Sequence, residues 1–304
     1  MRATLDIARL TILEARRRRT FLAGVLLSFL FVTGIMTVTI LAERASAQER
    51  STRVEPTPGA DETSPPTRTR ERHHDIDRRF ASQAIRVGGL WTMRTFAALM
   101  AIVLAAGAIA SERESGTLHT LVTKPIRRTE VLAGKWLGLN AILLAYSLAL
   151  GLFIALVLTV HDREIPWSVF RVSLANMLLP MLFVTLTLLF SILASAWVAV
   201  GLGLFAWAVG IQEYGPLRAI AFGLKQIGRE AAGQVVQGAC TLAGLLVPVG
   251  RIAGWIDRAG GAVQFPLPSV VPRPTADLWD LLYLLVYFVV AFAAAAWTFE
   301  RRDL

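Results

Sequence analysis

Histidine, cysteine and carboxylate side chains are the groups in this 304-residue chain that could bind a metal ion. His73 and His74 are adjacent and stand just before Asp75 and Asp77. Adjacent side chains on a helix point in different directions, and no further histidine or cysteine is close in the sequence. Cys240 is the only cysteine, so it cannot form a disulfide within the chain. We therefore predict neither a metal site nor an intramolecular disulfide.

Sequence motifs for hydrolytic catalysis are absent. Gly134-Lys135 could end a phosphate-binding loop, but Trp136 follows where that motif requires serine or threonine, and its earlier glycine is missing. The HExxH pattern of zinc proteases and the GxSxG pattern of serine hydrolases do not occur. We therefore expect no enzymatic site and no cofactor, and ATP hydrolysis linked to this chain has to take place in a partner.

The elements that would position functional side chains are predominantly apolar. Hydrophobic residues make up 55% of the chain, charged residues make up 17%, and the mean hydropathy is +0.55. Soluble domains average about 25% charged residues, and a membrane-spanning helix needs about 20 apolar residues in a row. Several uncharged runs qualify, so the composition excludes a soluble enzyme, a disordered chain and a disulfide-rich scaffold.

The apolar runs predict an all-α integral membrane protein with six transmembrane helices. Val172–Gln212 is 41 residues long without a charge. As one helix it would be about 62 Å long, twice the thickness of the hydrocarbon core, so it must hold two spans with a turn at Ser195-Ala196. The predicted segments are an N-terminal interfacial helix (1–19), span one (20–42), an outer loop (43–88), span two (90–110), a connection (111–134), span three (136–160), span four (172–195), span five (196–212), a second outer loop (213–278) and span six (279–299).

Three of these segments need comment. The first span follows Arg16–Arg19 as a signal peptide would, but its core of 22 residues exceeds the usual 7–15 or so, which favours an uncleaved span. The middle of the first outer loop, 53–70, is rich in Pro, Thr and Ser and is predicted to be poorly ordered, whereas 72–85 is predicted to be helical. Ala231–Gly250 is long enough to span but rich in Gly and Gln, so we predict a re-entrant hairpin on the outer side.

The distribution of charge predicts the orientation. With six spans, both arginine-rich termini and the connection 111–134 share one side, which the positive-inside rule places in the cytoplasm of a protein of the inner (cytoplasmic) membrane. The net charge of +9 then requires no nucleic acid. Within the predicted spans the only Asp, Glu, His, Lys or Arg residues are Arg94 and Asp280, which lies at the edge of its span. Because ion-coupled transporters usually keep intramembrane carboxylates or histidines, a self-powered transporter is disfavoured, with sodium coupling through backbone carbonyls as the remaining alternative.

The connection between spans two and three is the most informative stretch, and residues 111–138 read SERESGTLHTLVTKPIRRTEVLAGKWLG. Glu112 and Glu114 extend span two beyond the lipid, and Gly116 permits a reversal of the backbone. Residues 117–123 predict a short helix that Pro125 ends. From the residues alone, this helix is either a docking element for a partner or an ordinary polar connection with basic anchors.

This stretch resembles the signature region of type-2 ABC transporter permeases, in which an ERE-x-GTL run follows the second span and a GK-x-LG run opens the third. The N-terminal IARLTILEARRRRTFLAG and the C-terminal FERRDL are similar to the two ends of the same family. The sequence is also similar to the subgroup that includes the nitrous-oxide-reductase maturation permease. It departs from the family in having no basic residue at the turn between spans four and five, and in its longer first outer loop.

The resemblance implies the permease subunit of an ABC exporter, which forms a translocation pathway with a second copy in the lipid bilayer and pairs with separate ATPase subunits. The connection would then carry a cytoplasmic coupling helix seated in a groove of the ATPase, and the outer hairpin would cap the pathway. The alternatives are a non-transporting membrane scaffold for assembly or signalling of extracytoplasmic partners, and a membrane-embedded enzyme. The residues at matching motif positions, and hence the expected coupling residues, are Glu112, Glu114, Gly116, Thr117, Leu118, Pro125, Arg128 and Lys135.

Overall fold

The computed structural model describes residues 2–53, 66–114, 127–162, 165–211, 216–260 and 277–301. Within these ranges every regular element is an α-helix. In chain order the helices are α1 (Arg2–Arg17), α2 (Arg19–Arg53), α3 (Pro66–Glu114), α4 (Arg128–Asp162), α5 (Trp167–Ala175), α6 (Leu178–Leu193), α7 (Ala196–Ile211), α8 (Pro216–Gln226), α9 (Glu230–Leu246), α10 (Val249–Gly260) and α11 (Leu278–Arg301).

Several of these helices can cross a membrane, which confirms the predicted all-helical, multi-spanning class. The segments that are long and apolar enough, among the described residues, are Arg19–Ser46, Ala81–Ala110, Arg128–Asp162, Trp167–Leu193 and Leu278–Arg301. The pair α9 and α10 passes the same test only as one unit, which is bent by 80°. Helix α7 is apolar but has 16 residues, or about 24 Å of rise, which is shorter than the hydrocarbon core of about 30 Å.

The core of the molecule is built on the contact between α3 and α6, the most extensive helix pair in the described part of the chain. Ala97, Ala101 and Ala105 of α3 are fully buried. Small side chains allow two helices to approach closely, and in lipid this close packing replaces the hydrophobic effect as the source of association. Helices α2, α4 and α7 also pack on α3, and α11 packs on α6 and α4. Helix α3 is therefore the central element.

Two helices continue well beyond the predicted ends of their spans. Helix α2 reaches Arg53, and α3 already begins at Pro66, so part of the predicted outer loop is helical. In α3 the additional turns bring Ala81 and Ile85, four residues apart, into the core. Charged residues on the other faces of these turns interrupt the apolar run, so the helical segment of membrane-spanning length, Ala81–Ala110, begins before the uncharged run does.

Candidate coupling site

The candidate coupling segment leaves α3 and returns through α4. Helix α3 ends at Glu114 and α4 begins at Arg128, and Glu112 also lies in the last turn of α3. Arg128 and Lys135 lie in the first turns of α4. The structure therefore describes the two helix ends that hold the segment. The predicted helix 117–123 and four of the expected coupling residues lie outside the described residues: Gly116, Thr117, Leu118 and Pro125.

Lys135 joins the two helix ends to each other. Its side chain is buried, with 5% of its surface exposed, and its ammonium group donates a hydrogen bond to the backbone carbonyl of Ala108 on α3. A buried charge is tolerated only when it is paired or hydrogen-bonded, so this contact fixes the spacing of α3 and α4. Lys135 thus supports the segment from inside the protein and does not present its charge on the surface.

Arg128 joins the start of α4 to the end of α11. Its guanidinium donates a hydrogen bond to the carbonyl of Phe299 over 3.3 Å. The last carbonyls of a helix have no partner within the helix, and a cation there is favoured by the helix dipole. Phe299 itself is buried. The start of α4 is therefore tied to α11 as well as to α3.

Helix α1 packs directly against the two glycines of the GKWLG run. A Cβ atom added at Gly134 would lie 2.7 Å from the Cβ of Ile7 and 2.9 Å from the carbonyl oxygen of Thr4. One added at Gly138 would lie 2.6 Å from the carbonyl oxygen of Ala8. Glycines four residues apart on one helix face permit this backbone-to-backbone approach. The sequence identifies the motif but gives no indication that the N-terminal helix occupies it.

Trp136, between the two glycines, contacts two further helices. Its indole Nε1 donates a hydrogen bond to the Thr185 hydroxyl of α6 over 2.9 Å. Its ring packs edge-on against Phe292 of α11, with 5.8 Å between the ring centroids. The run 134–138 therefore contacts α1, α3, α6 and α11, which explains physically why these residue types occur together.

Two residues that the sequence does not single out complete the contacts around the end of α3. Arg18, at the break between α1 and α2, forms a 2.6 Å ion pair with Glu14 and donates to the carbonyl of Gly107 over 3.5 Å. The Ser191 hydroxyl of α6 donates to the carbonyl of Ala106 over 2.8 Å. An arginine within a run of four and a serine within an apolar run carry no sequence signal for such contacts. We refer to Arg18, Lys135 and Ser191 as the α3 clasp.

A second polar cluster lies at the opposite end of α11, where α9 bends into α10. The Tyr283 and Tyr287 hydroxyls donate to the carbonyls of Leu245 and Leu246, over 2.7 Å and 2.6 Å. These carbonyls belong to the last turn of α9 and have no partner within the helix. We refer to the two tyrosines as the tyrosine latch. Arg251 of the following helix, α10, lies 3.8 Å above the Tyr283 ring and 3.5 Å from the carboxylate of Asp280.

Removing the tyrosine latch is expected to free the end of α9. Each lost hydrogen bond costs about 1 kcal/mol. The double substitution Tyr283→Phe and Tyr287→Phe should therefore raise the fraction of molecules in which the end of α9 is detached from α11 roughly 30-fold. The native Cys240 reports this change, because it is the only cysteine, lies on α9 and is 4% exposed. We expect maleimide to modify it at least about tenfold faster in the double variant.

The matched control for the latch is Thr298→Val, also on α11. The Thr298 hydroxyl donates to the Ala294 carbonyl within the same helix, so its loss should leave the Cys240 rate unchanged. An unchanged rate in the double tyrosine variant would show that other contacts hold α9.

A bundle of membrane-spanning helices, linked by such a motif-bearing segment, is the architecture of a transporter subunit. The family model of the ABC-2 family transporter proteins matches residues 5–304, and the chain belongs to this family. It is 28% identical, over 240 residues, to the probable ABC transporter permease protein NosY of Pseudomonas aeruginosa, covering 74% of this chain and 83% of that protein. The chain is therefore a multi-pass transmembrane subunit of an ABC transporter. Family membership indicates transport and not catalysis, and implies an ATPase partner.

Proposed function

We propose that this chain is the permease of an ABC exporter, which forms the pathway with a second copy of itself and is driven by a separate ATPase that contacts segment 111–134. The observation that carries the proposal is the fixation of both ends of this segment. Lys135 ties α4 to α3, and Arg128 ties α4 to α11. A force applied between Glu114 and Arg128 is therefore passed to three helices at once and is not absorbed by a loose loop.

The proposed orientation places both termini and the coupling segment in the cytoplasm. It is supported by the arginines at the start of α2 and at the end of α11, where Arg301 lies 4.1 Å above the ring of Trp297. Such a pair of a cation and an aromatic ring is typical of a membrane interface. The bent pair α9 and α10 then forms the re-entrant hairpin that caps the pathway on the outer side, and the protein resides in the inner membrane.

The experiment that tests the coupling role is co-purification with the ATPase. Leu118→Asp should reduce recovery of the ATPase about 30-fold, because a carboxylate in an apolar groove removes a contact of about 2 kcal/mol. Thr120→Asp is the matched control, since position 120 lies on the opposite face of the predicted helix from Leu118. Recovery is measured from solubilised membranes by the ratio of the two subunits.

Two outcomes would contradict the proposal. If Leu118→Asp, combined with Glu114→Ala, left both the complex and its ATP-dependent activity intact, segment 111–134 would not be the coupling site. If no ATPase accompanied the unmodified chain while an extracytoplasmic protein did, the chain would be a scaffold.

The scaffold alternative has one structural observation in its favour. Helices α2 and α3 extend past their spans to Arg53 and from Pro66, and so provide helical surface on the proposed outer side. In an exporter the same surface would serve an outer-side partner. The two functions differ in their dependence on ATP, which the co-purified complex makes measurable.

A further inference from the structure

The Ser191 hydroxyl occupies an unusual position within a turn of α3. It accepts a hydrogen bond from the backbone N–H of Ala110 over 3.0 Å and donates one to the carbonyl of Ala106 over 2.8 Å. In a regular helix these two backbone groups bond to each other, because residue i donates to residue i−4. The turn Ala106–Ala110 is therefore hydrogen-bonded to α6 through both of these backbone groups.

The α3 clasp holds three successive carbonyls of this turn from three directions. Ala106 accepts from Ser191, Gly107 from Arg18 and Ala108 from Lys135. Lysine and arginine have several rotatable bonds, so their charged ends can follow a moving carbonyl. The serine side chain has a single rotatable bond before its hydroxyl, and Ser191 is fully buried. Of the three contacts, the serine contact is the one that forces two backbones to move together.

Ser191 also lies beside the connection between α6 and α7. Helix α6 ends at Leu193, Ala194 is extended with φ −135° and ψ 176°, and α7 begins at Ala196. The sequence from Leu193 to Trp197 contains no charged residue. This connection therefore offers no charged side chain for an ion pair with an ATPase, and Ser191 lies two residues before it on α6.

We propose that the Ser191 hydroxyl transmits the movement of the coupling segment from α3 to the α6–α7 connection. Ser191 is a positioning residue in this scheme, and the inference rests on the proposed coupling function. The geometry predicts an unusual signature for its removal. Without the hydroxyl, the Ala110 N–H and the Ala106 carbonyl are still i, i−4 partners within the continuous helix α3, so no buried backbone group is left unpaired. Ser191→Ala should therefore uncouple the two helices with little loss of stability.

The test uses the complex of the full chain with its ATPase, in a Cys240→Ala background. Single cysteines at two positions report movement: Arg127→Cys beside the coupling segment, and Ser195→Cys in the α6–α7 connection. The rate of maleimide modification is compared with and without ATP trapped by vanadate. With native Ser191, both rates should change on trapping. With Ser191→Ala, the modification rates at position 195 with and without trapped ATP should be about equal, while the rate at position 127 still changes on trapping.

The matched control is Ser173→Ala. Ser173 is also fully buried, but its hydroxyl donates within its own helix, to the carbonyl of Val169 over 2.7 Å. It should preserve both responses. The inference is overturned if position 195 still responds in Ser191→Ala, or if Ser191→Ala lowers the melting temperature and abolishes both responses, as a purely structural residue would. If position 127 does not respond even with native Ser191, the proposed coupling function itself fails.

Discussion

Lys135→Glu is expected to prevent stable folding of the protein. A carboxylate cannot donate a hydrogen bond to the carbonyl of Ala108, and at a position that is 5% exposed it would be a buried, unpaired charge. Breaking a buried charged contact by replacing one partner typically costs about 3–5 kcal/mol, a large part of the stability of a domain. We expect loss of the monodisperse peak in detergent chromatography and a melting temperature too low to measure.

Two further variants serve as comparisons for Lys135→Glu. Lys135→Met removes the donor without adding a charge, and the Ala108 carbonyl keeps its backbone partner within α3, so the cost should be that of one hydrogen bond from a charged group, about 1.5–3 kcal/mol. Lys225→Glu makes the same change of charge on the exposed surface of α8, where the lysine loses only an exposed hydrogen bond to Gln237, and should alter stability by less than about 1 kcal/mol. Equal stability of Lys135→Glu and Lys225→Glu would mean that Lys135 faces solvent.

Gly138→Leu is expected to displace α1 from the bundle. The first added carbon would lie 2.6 Å from the Ala8 carbonyl oxygen and 2.8 Å from the Cβ of Thr11, and a backbone oxygen cannot rotate away as a side chain can. Forcing extra methylenes into such a contact costs about 1–3 kcal/mol or more. Trypsin should then cleave at the arginines of α1 at concentrations that leave the unmodified protein intact.

The control for this substitution is Gly34→Leu in α2. No atom lies within 4 Å of a Cβ built at Gly34, so leucine fits there and also removes the conformational cost of glycine in a helix. Its melting temperature should be equal to or above that of the unmodified protein. Gly138→Ala should give an intermediate loss. Resistance of Gly138→Leu to trypsin would contradict the packing of α1 on α4.

The helical, membrane-spanning class could be predicted from the sequence because it depends on the length of uncharged runs. Val172–Gln212 illustrates both the strength and the limit of this reasoning. Its length requires two helices, and the chain does break between Leu193 and Ala196. The sequence predicts helix around Ala81, but not its unbroken continuation into the second span, because charged residues on the outer faces of these turns hide the buried stripe.

The candidate site was predictable only as a set of positions. The run GKWLG identifies Gly134 and Lys135 as motif positions. It does not indicate that the N-terminal helix packs against the glycine, or that the lysine side chain is buried. The contacts around the site join residues that are far apart in the sequence. Ser191 and Ala106, for example, are separated by 85 residues. Periodicity and charge are local properties of the chain, so they cannot specify a pairing across that distance.

The length of helix α3 has a mechanical consequence. Its 49 residues form one continuous helix of about 73 Å, which reaches from Pro66 to the coupling segment. If its end near Glu114 serves as a pivot, each degree of tilt displaces the far end by about 1.3 Å. Under the proposed coupling, the helix would therefore act as a lever arm, and a rotation of a few degrees forced by the ATPase would displace its far end by several ångströms.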